Sequence, residues 1–446
     1  MGIKKKSAEK KEGFLKGAAW IAAGGFIAKL IGALYRIPLT NLIGGHGLGL
    51  YQLVYPIYCL LLTVSATGIP SSIAKLTAER VAQGESGKAV FKKAMKLFVW
   101  IGVFGSILMA VIAPFLSKAQ GSGEVLAGYY TLAPSVFLVS AISVYRGWFQ
   151  GRNKMFPTAL SEITEQVVKV GAGIVFAYIF REDIHKAVVY LLLAVTLSEL
   201  VTLIVMAMLF KREKKRLKSK NEGGRCAAKT IFKLSIPVTF NSILIPLSAL
   251  LDSVLVPRLL GAYASDAVTL YGLFAGGAVT MINLPVSVCY GIAAASIPNV
   301  ASAKKESVRK RIWFALWITV LVGALSAAGL YFFAEPATKI IFRSLQGEEL
   351  GLLIRLIQAL AVSALTLSCV QTLSACLTAQ GKPQYAALSM LIALVVKTST
   401  YTFWLRDPNV SVFGLAYATN IAYAVAFLLD LVYNLYISRN KRKQKV

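Results

Sequence analysis

The sequence predicts an all-α integral membrane protein of about twelve transmembrane helices in two six-helix lobes. Three observations carry that prediction. Apolar stretches about as long as a bilayer core is thick recur along the chain, lysine and arginine crowd into alternate connections, and segments of the second half repeat segments of the first. Of 446 residues, 57% are hydrophobic, and the mean hydropathy is +0.65. A net charge of +28 would also suit a nucleic-acid binder, but such a protein has no need of uninterrupted apolar spans, so the cations are expected to set topology.

The basic start, residues 1–16, runs into a full-length span with neither a short h-region nor a small-residue cleavage site, and the first span is therefore expected to be retained. Spans follow near 17–39, 49–68, 94–116, 125–148, 156–180 and 187–210, which form the first lobe, 17–210. A basic linker, 211–231, leads to spans near 232–257, 268–297, 312–333, 352–378, 385–405 and 412–437, the second lobe, and a basic tail occupies 438–446. One set of connections holds the N-terminus, Lys75 to Lys96, Arg146 to Lys154, KREKKRLKSKNEGGR, KKESVRKR, Lys382 and the tail. The opposite set holds only Lys118, Arg181, Lys186, Arg258, Lys339, Arg343 and Arg406. Excess positive charge marks the cytoplasmic side, which places both termini there and the protein in the cell membrane.

SVYRGWFQGRNKMFPTAL (143–160) parallels TLSACLTAQGKPQYAAL (372–388), and TGIPSSIAKLTAE (67–79) parallels YGIAAASIPNVASAKKE (290–306). An even number of spans per copy makes this a parallel repeat, whose site is expected between the lobes. Two internal lobes make a monomer sufficient. Prolines 56, 70, 134, 237, 246, 285 and 298, with Gly24-Gly25 and Gly276-Gly277, mark helices able to bend.

Charged residues inside the spans carry the functional signal. A charge at the bilayer centre costs on the order of 3 kcal/mol, so each should face protein or water. Lys29, Lys169 and Lys397 fall near mid-span, Arg36, Arg258 and Arg355 toward outer ends, and Glu162, Glu165, Glu199, Asp252 and Asp430 are the acids at depth. Lys29 and Arg36 are seven residues apart, which leaves them about 20° apart on one helix face and makes that face cationic. Glu165 and Lys169, at i and i+4, are placed to pair along their own helix. Asp252 is expected to meet a cation from the other lobe, with Pro257 ending its helix. Lys397 stands beside Thr398, Ser399 and Thr400, Glu199 is expected to bond between helices, and Asp430 is expected to meet the basic tail. Asn283, in AVTMINLP, joins the polar candidates. Cys59, Cys289, Cys369 and Cys376 lie in spans and Cys226 in a basic loop, without CxxC or zinc-type histidine spacing, so neither metal nor cofactor is expected. His46, in GGHGLG, reads as an exposed turn residue.

AKLIGALYRIPLTNLIGGHGLGLYQLVYPIY (28–58), TGIPSSIAKLTAE, FQGRNKMFPTA and LYGLFAGGAVTMINLPVSVCYGIAAASIPNVA (270–301) together resemble the stage V sporulation protein B and lipid II flippase branch of the multidrug, oligosaccharidyl-lipid and polysaccharide (MOP) exporter superfamily. That resemblance implies a MATE-like fold, a central cationic cavity, and transport of polyprenyl-diphosphate-linked sugars, with Lys29 and Arg36 on the first helix as head-group contacts. Lys397 and Arg258 would assist, and Asp252, Glu165, Lys169, Glu199 and Asn283 would line the cavity or couple an ion. The sequence departs from the branch at Thr280, where an arginine is common, and shows no two further C-terminal helices for a lipid-tail groove. Two rivals follow from the residues: a drug or organic-cation antiporter, which needs a carboxylate facing its cargo, and a glycosyl polymerase or ligase, which needs larger external loops or an acid/base cluster.

Overall fold

Gly44 breaks the first long helix. Its φ of 66° and ψ of −172° form a conformation essentially reserved for glycine, so α1 (Gly2–Ala66) is one helix up to residue 43 and another from residue 45. The sequence suggests two spans with a glycine-rich loop between them. The chain instead stays helical through GHGLG, because its glycines serve close packing rather than a turn.

The computed structural model describes residues 2–66, 68–216, 228–301 and 307–443, less the side chains of 2–23, 26, 29, 30, 33, 65, 66, 216, 228–241, 294, 295, 298, 299, 301 and 438–443. After α1 come α2 (Gly68–Ala82), α3 (Lys88–Ala119), a 3-10 turn (Gly123–Val125), α4 (Leu126–Gly151), α5 (Phe156–Ile179), α6 (Ile184–Arg216) and α7 (Ala228–Leu260). There follow α8 (Ala267–Gly272), a π turn (Leu273–Ala278), α9 (Val279–Ala301), α10 (Val308–Phe332), α11 (Ala334–Ile341), α12 (Gly347–Ala379), α13 (Pro383–Trp404) and α14 (Phe413–Lys443). Proline stands at the start of α5 and α13, where its missing N–H costs no helical bond. Asp183 accepts the Lys186 backbone N–H at 3.1 Å to cap α6; that bond, then the Lys186 ammonium, holds its carboxyl below the usual range. Pro257 does not end its helix, since α7 continues to Leu260.

The protein is multi-pass. Ten stretches among the described residues are long and apolar enough to cross a bilayer. Trp100, Phe104, Ile107, Val111 and Phe115 recur at helical spacing on α3 and are exposed, as are Phe314, Trp317, Leu321 and Leu325 on α10. Such stripes belong against lipid chains.

The chain folds as two units. Unit 1 comprises Met1–Leu39, Val54–Lys118 and Ser122–Pro246. At one end of it, Ile69, Ile73, Phe98, Trp148, Phe149 and Met206 pack into a core contributed by α2, α3, α4 and α6. Phe91 stacks on Phe210 at 4.1 Å, and Trp148 meets Phe210 edge-on. The neighbouring basic turn is ordered by specific bonds: Arg152 donates to the Ser86 carbonyl at 2.9 Å and lies over the Trp148 ring, while Lys154 reaches Glu213 at 2.6 Å. Glu213, which the sequence places in the basic linker, is thus buried between two cations, with Arg152 at 3.9 Å.

Unit 2 comprises Thr40–Leu53, Ala119–Gly121 and Leu247–Val446. Here the sequence GHGLG finds its use. Gly45-x-x-x-Gly49 faces Gly272-x-x-x-Gly276, and a Cβ on Gly272 would lie 2.4 Å from the Gly49 nitrogen. Small residues spaced four apart let two helix backbones approach this closely in a membrane. Leu48 fills the space over Gly276, and Gln52 donates at 3.1 Å to the Ala275 carbonyl inside the π turn. His46 is half-buried, 3.4 Å from Thr269 Oγ1, rather than an exposed turn residue. Asn41 donates to the Ile341 carbonyl at 2.8 Å and accepts from the Ser344 N–H at 3.1 Å, tying the segment to the end of α11.

Candidate functional site

Glycine on α1 sets the geometry of the charged groups in unit 1. A Cβ on Gly24 would lie 2.6 Å from Ala159 Cβ; Gly25 faces Glu162 Oε2 and Gly32 faces Gln166 Oε1. That α1 surface therefore lies along α5, and Arg36 stands four residues beyond Gly32, one turn further on. Arg36 and Lys169 of α5 both come within electrostatic reach of Cys59 and of each other. Two cations from different helices thus lie within electrostatic reach of each other inside a membrane protein.

Acids surround this pair. Arg146 Nη2 donates to Glu165 Oε2 at 3.0 Å and its Nε to Ser161 Oγ at 2.8 Å, with Glu162 and Glu199 also within its electrostatic reach. Glu165 therefore forms its ion pair with α4, not with Lys169 on its own helix, although Lys169 stays within range. The α4–α5 connection brings Arg146 opposite Ser161 and Glu165, and the guanidinium fork takes both where an ammonium would take one. The Tyr58 hydroxyl donates to Glu199 Oε1 at 3.1 Å, whereas Glu199 Oε2 is buried with no hydrogen-bond partner.

Sequence reasoning missed Tyr58 and Arg146. The sequence groups Arg146 with the basic turn, near which it lies. It is five residues inside the end of α4, and the available signal was Ser161 and Glu165, a hydroxyl and a carboxylate one turn apart on the next helix.

Unit 2 holds a second buried pair. Lys397 Nζ donates to the Asp252 carboxylate and to Ser248 Oγ, with the lysine and aspartate side chains 11% and 9% exposed. Tyr401 lies against Asp252, with Thr398 beside it. The cation that meets Asp252 comes from α13 of the same unit rather than from the other half of the chain, because α7 continues into this unit after Pro246. Arg258, exposed near the end of α7, and Asn283, exposed on α9, bond to neither cluster among the described residues. The Lys29 side chain lies outside the described residues. Asp430 is fully buried and accepts from Ser374 Oγ; the side chains of the basic tail it is expected to meet lie outside the described residues.

Residues 14–304 match the family model described as polysaccharide biosynthesis protein. Stage V sporulation protein B of Bacillus subtilis (strain 168) is 27% identical over 425 residues, covering 92% of this chain and 81% of that protein. Lipid II flippase MurJ of the same organism is 21% identical over 416 residues, covering 86% and 76%. Among solved structures, a multidrug resistance MATE family transporter of the MOP superfamily, in its inward-facing conformation, matches with a TM-score of 0.79 at 17% identity over 94% of this chain and 96% of that one. The two share one all-α fold, which is the architecture the sequence predicts. The family model spans well over half of the chain, which therefore belongs to the polysaccharide biosynthesis protein family.

Proposed function

We propose that this transporter moves a polyprenyl-diphosphate-linked saccharide, such as a peptidoglycan precursor or a polysaccharide repeat unit, from the inner to the outer leaflet by alternating access. The observation that carries the reading is that Arg36 and Lys169 lie within electrostatic reach of each other inside unit 1. A diphosphate is a compact dianion or trianion; a guanidinium fork and a mobile ammonium within reach of each other suit it. The match to a polysaccharide biosynthesis family supports the saccharide, and a relative named lipid II flippase supports the lipid carrier. In this reading the head group crosses through protein while the lipid tail stays in the bilayer. With both termini cytoplasmic, an inside-negative potential favours outward movement of the anion by about 2.3 kcal/mol per charge per 100 mV. Lys29 is assigned to the same head group as Arg36. Lys397 is held by Asp252 and assists only if that pair opens.

Mass spectrometry of lipids retained by the gently purified full-length protein tests the assignment. Polyprenyl diphosphates should accompany the wild type and fall at least about tenfold in the Arg36→Gln/Lys169→Gln double variant, the loss expected for about 1.4 kcal/mol of phosphate binding. Equal retention by the variant, or none by the wild type, contradicts it.

A second reading is export of an organic cation. The likeness to a multidrug transporter favours it over the first, and Glu199 and Asp252 offer buried carboxylates to a cationic cargo. Drug export by reconstituted protein, abolished by Asp252→Asn, would establish it in place of the first.

A further inference from the structure

Two helices of unit 1 end their exposed apolar stripes in lysine. On α3 the stripe of Trp100, Phe104, Ile107, Val111 and Phe115 runs back at helical spacing into Lys96 and Lys93, both exposed. A seven-residue step turns a helix by only about 20°, so Lys93 shares the face of Trp100. On α6 the exposed Leu200, Ile204 and Met208 lead at the same spacing into Lys211 and Lys215, again exposed. Phe91 stacks on Phe210 at 4.1 Å, and these rings lie next to the lysines in sequence, so the two cationic helix ends come together.

A lysine in this position keeps its methylenes against hydrocarbon and its ammonium at the membrane surface, with the α3 tryptophan at head-group level beneath it. Two nearby acids are already engaged: Glu213 lies between Arg152 and Lys154, and Glu85 reaches Arg80 at 3.4 Å. None of the four lysines forms an ion pair among the described residues. In unit 2 the pattern recurs. The exposed stripe of Phe314, Trp317, Leu321 and Leu325 on α10 is preceded by exposed Lys310, seven residues before Trp317 as Lys93 is seven before Trp100. Topology alone asks only for positive charge somewhere in a connection; it does not ask that the charge continue the lipid-facing stripe. An occupant matching both parts carries acyl chains for the stripe and a net negative head group for the ammonium groups. An acidic protein would supply only the second.

We propose that Lys93, Lys96, Lys211 and Lys215 bind the phosphate of an anionic glycerophospholipid whose acyl chains lie along α3 and α6, with Lys310 making the corresponding contact on α10. The site is independent of the substrate assignment, and its test reads no transport. Native mass spectrometry is applied to the full-length protein in detergent, titrated with phosphatidylglycerol against phosphatidylcholine of the same acyl chains. The wild type should prefer phosphatidylglycerol. That preference should fall at least about fivefold in the Lys93→Gln/Lys96→Gln/Lys211→Gln/Lys215→Gln variant, the share of a single surface lysine, and persist when the same four positions are arginine. In the wild type it should also shrink as ionic strength rises, a reading that needs no variant. Equal retention of the two phospholipids by the wild type, an undiminished preference in the glutamine variant, or insensitivity to salt overturns the site. Loss of the preference in the arginine variant also overturns it, since the positions then act through packing rather than charge. An acidic protein retained in place of phospholipid would assign the face to that partner instead.

Discussion

Lys397 and Asp252, 145 residues apart in sequence, meet as a buried ion pair inside unit 2. Each is about nine-tenths shielded, so neither can recover hydration if its partner is removed. Such a pair gives little net stability when intact and costs much when halved.

Asp252→Leu and Lys397→Met singly should therefore each cost about 3–5 kcal/mol. The double variant should recover most of that loss, because no charge is left buried. A double-mutant cycle on thermal unfolding in detergent checks this; losses that simply add would show that the two groups are not coupled.

Gly49→Ala should be poorly tolerated. Its Cβ would fall 2.1 Å from the Val268 carbonyl oxygen, backbone against side chain, with no flexible atom to yield. A cost of about 1–3 kcal/mol or more is expected, against almost none for Gly171→Ala on α5, where a Cβ meets open space. Monodispersity and Tm of the two variants provide the comparison.

Gly44→Ala isolates backbone strain from packing. Nothing lies within 4 Å of a Cβ there, yet the φ of 66° with ψ of −172° excludes an L side chain. The expected loss is about 1–3 kcal/mol, read by thermal unfolding. A neutral variant would mean that the break in α1 tolerates another conformation.

The spans were legible in the sequence because a bilayer requires long apolar helices, a constraint local to each segment. Helix faces were legible for the same reason, through spacing along one helix. Partners across helices were not. Tyr58 and Glu199 are 141 residues apart, and no periodicity links them. Glu165 had a plausible local partner in Lys169, but the guanidinium of Arg146 also reaches Ser161 and prevailed. The glycines of GHGLG carry the same letters whether they turn a loop or let helices touch, and only the facing Gly272 and Gly276 distinguish the two uses.

Topology makes a prediction of its own. In a cysteine-free background, Glu124→Cys should react with a membrane-impermeant thiol reagent in intact cells, and Gln83→Cys only after permeabilisation. These positions flank the 32-residue α3, so labelling of both from one side would remove α3 as a span, and the reverse pattern would invert the expected orientation.

The central claim is that cations within reach of each other carry an anionic lipid head group across the membrane. Its most direct measurement is translocation of a labelled polyprenyl-diphosphate saccharide by purified protein in proteoliposomes, read by head-group accessibility at the outer face. Wild-type protein should translocate, the Arg36→Gln/Lys169→Gln variant should lose at least about tenfold in rate, and a Gly171→Ala control should retain it. Wild-type protein that leaves the lipid in place, or a variant that moves it at the wild-type rate, would contradict the account.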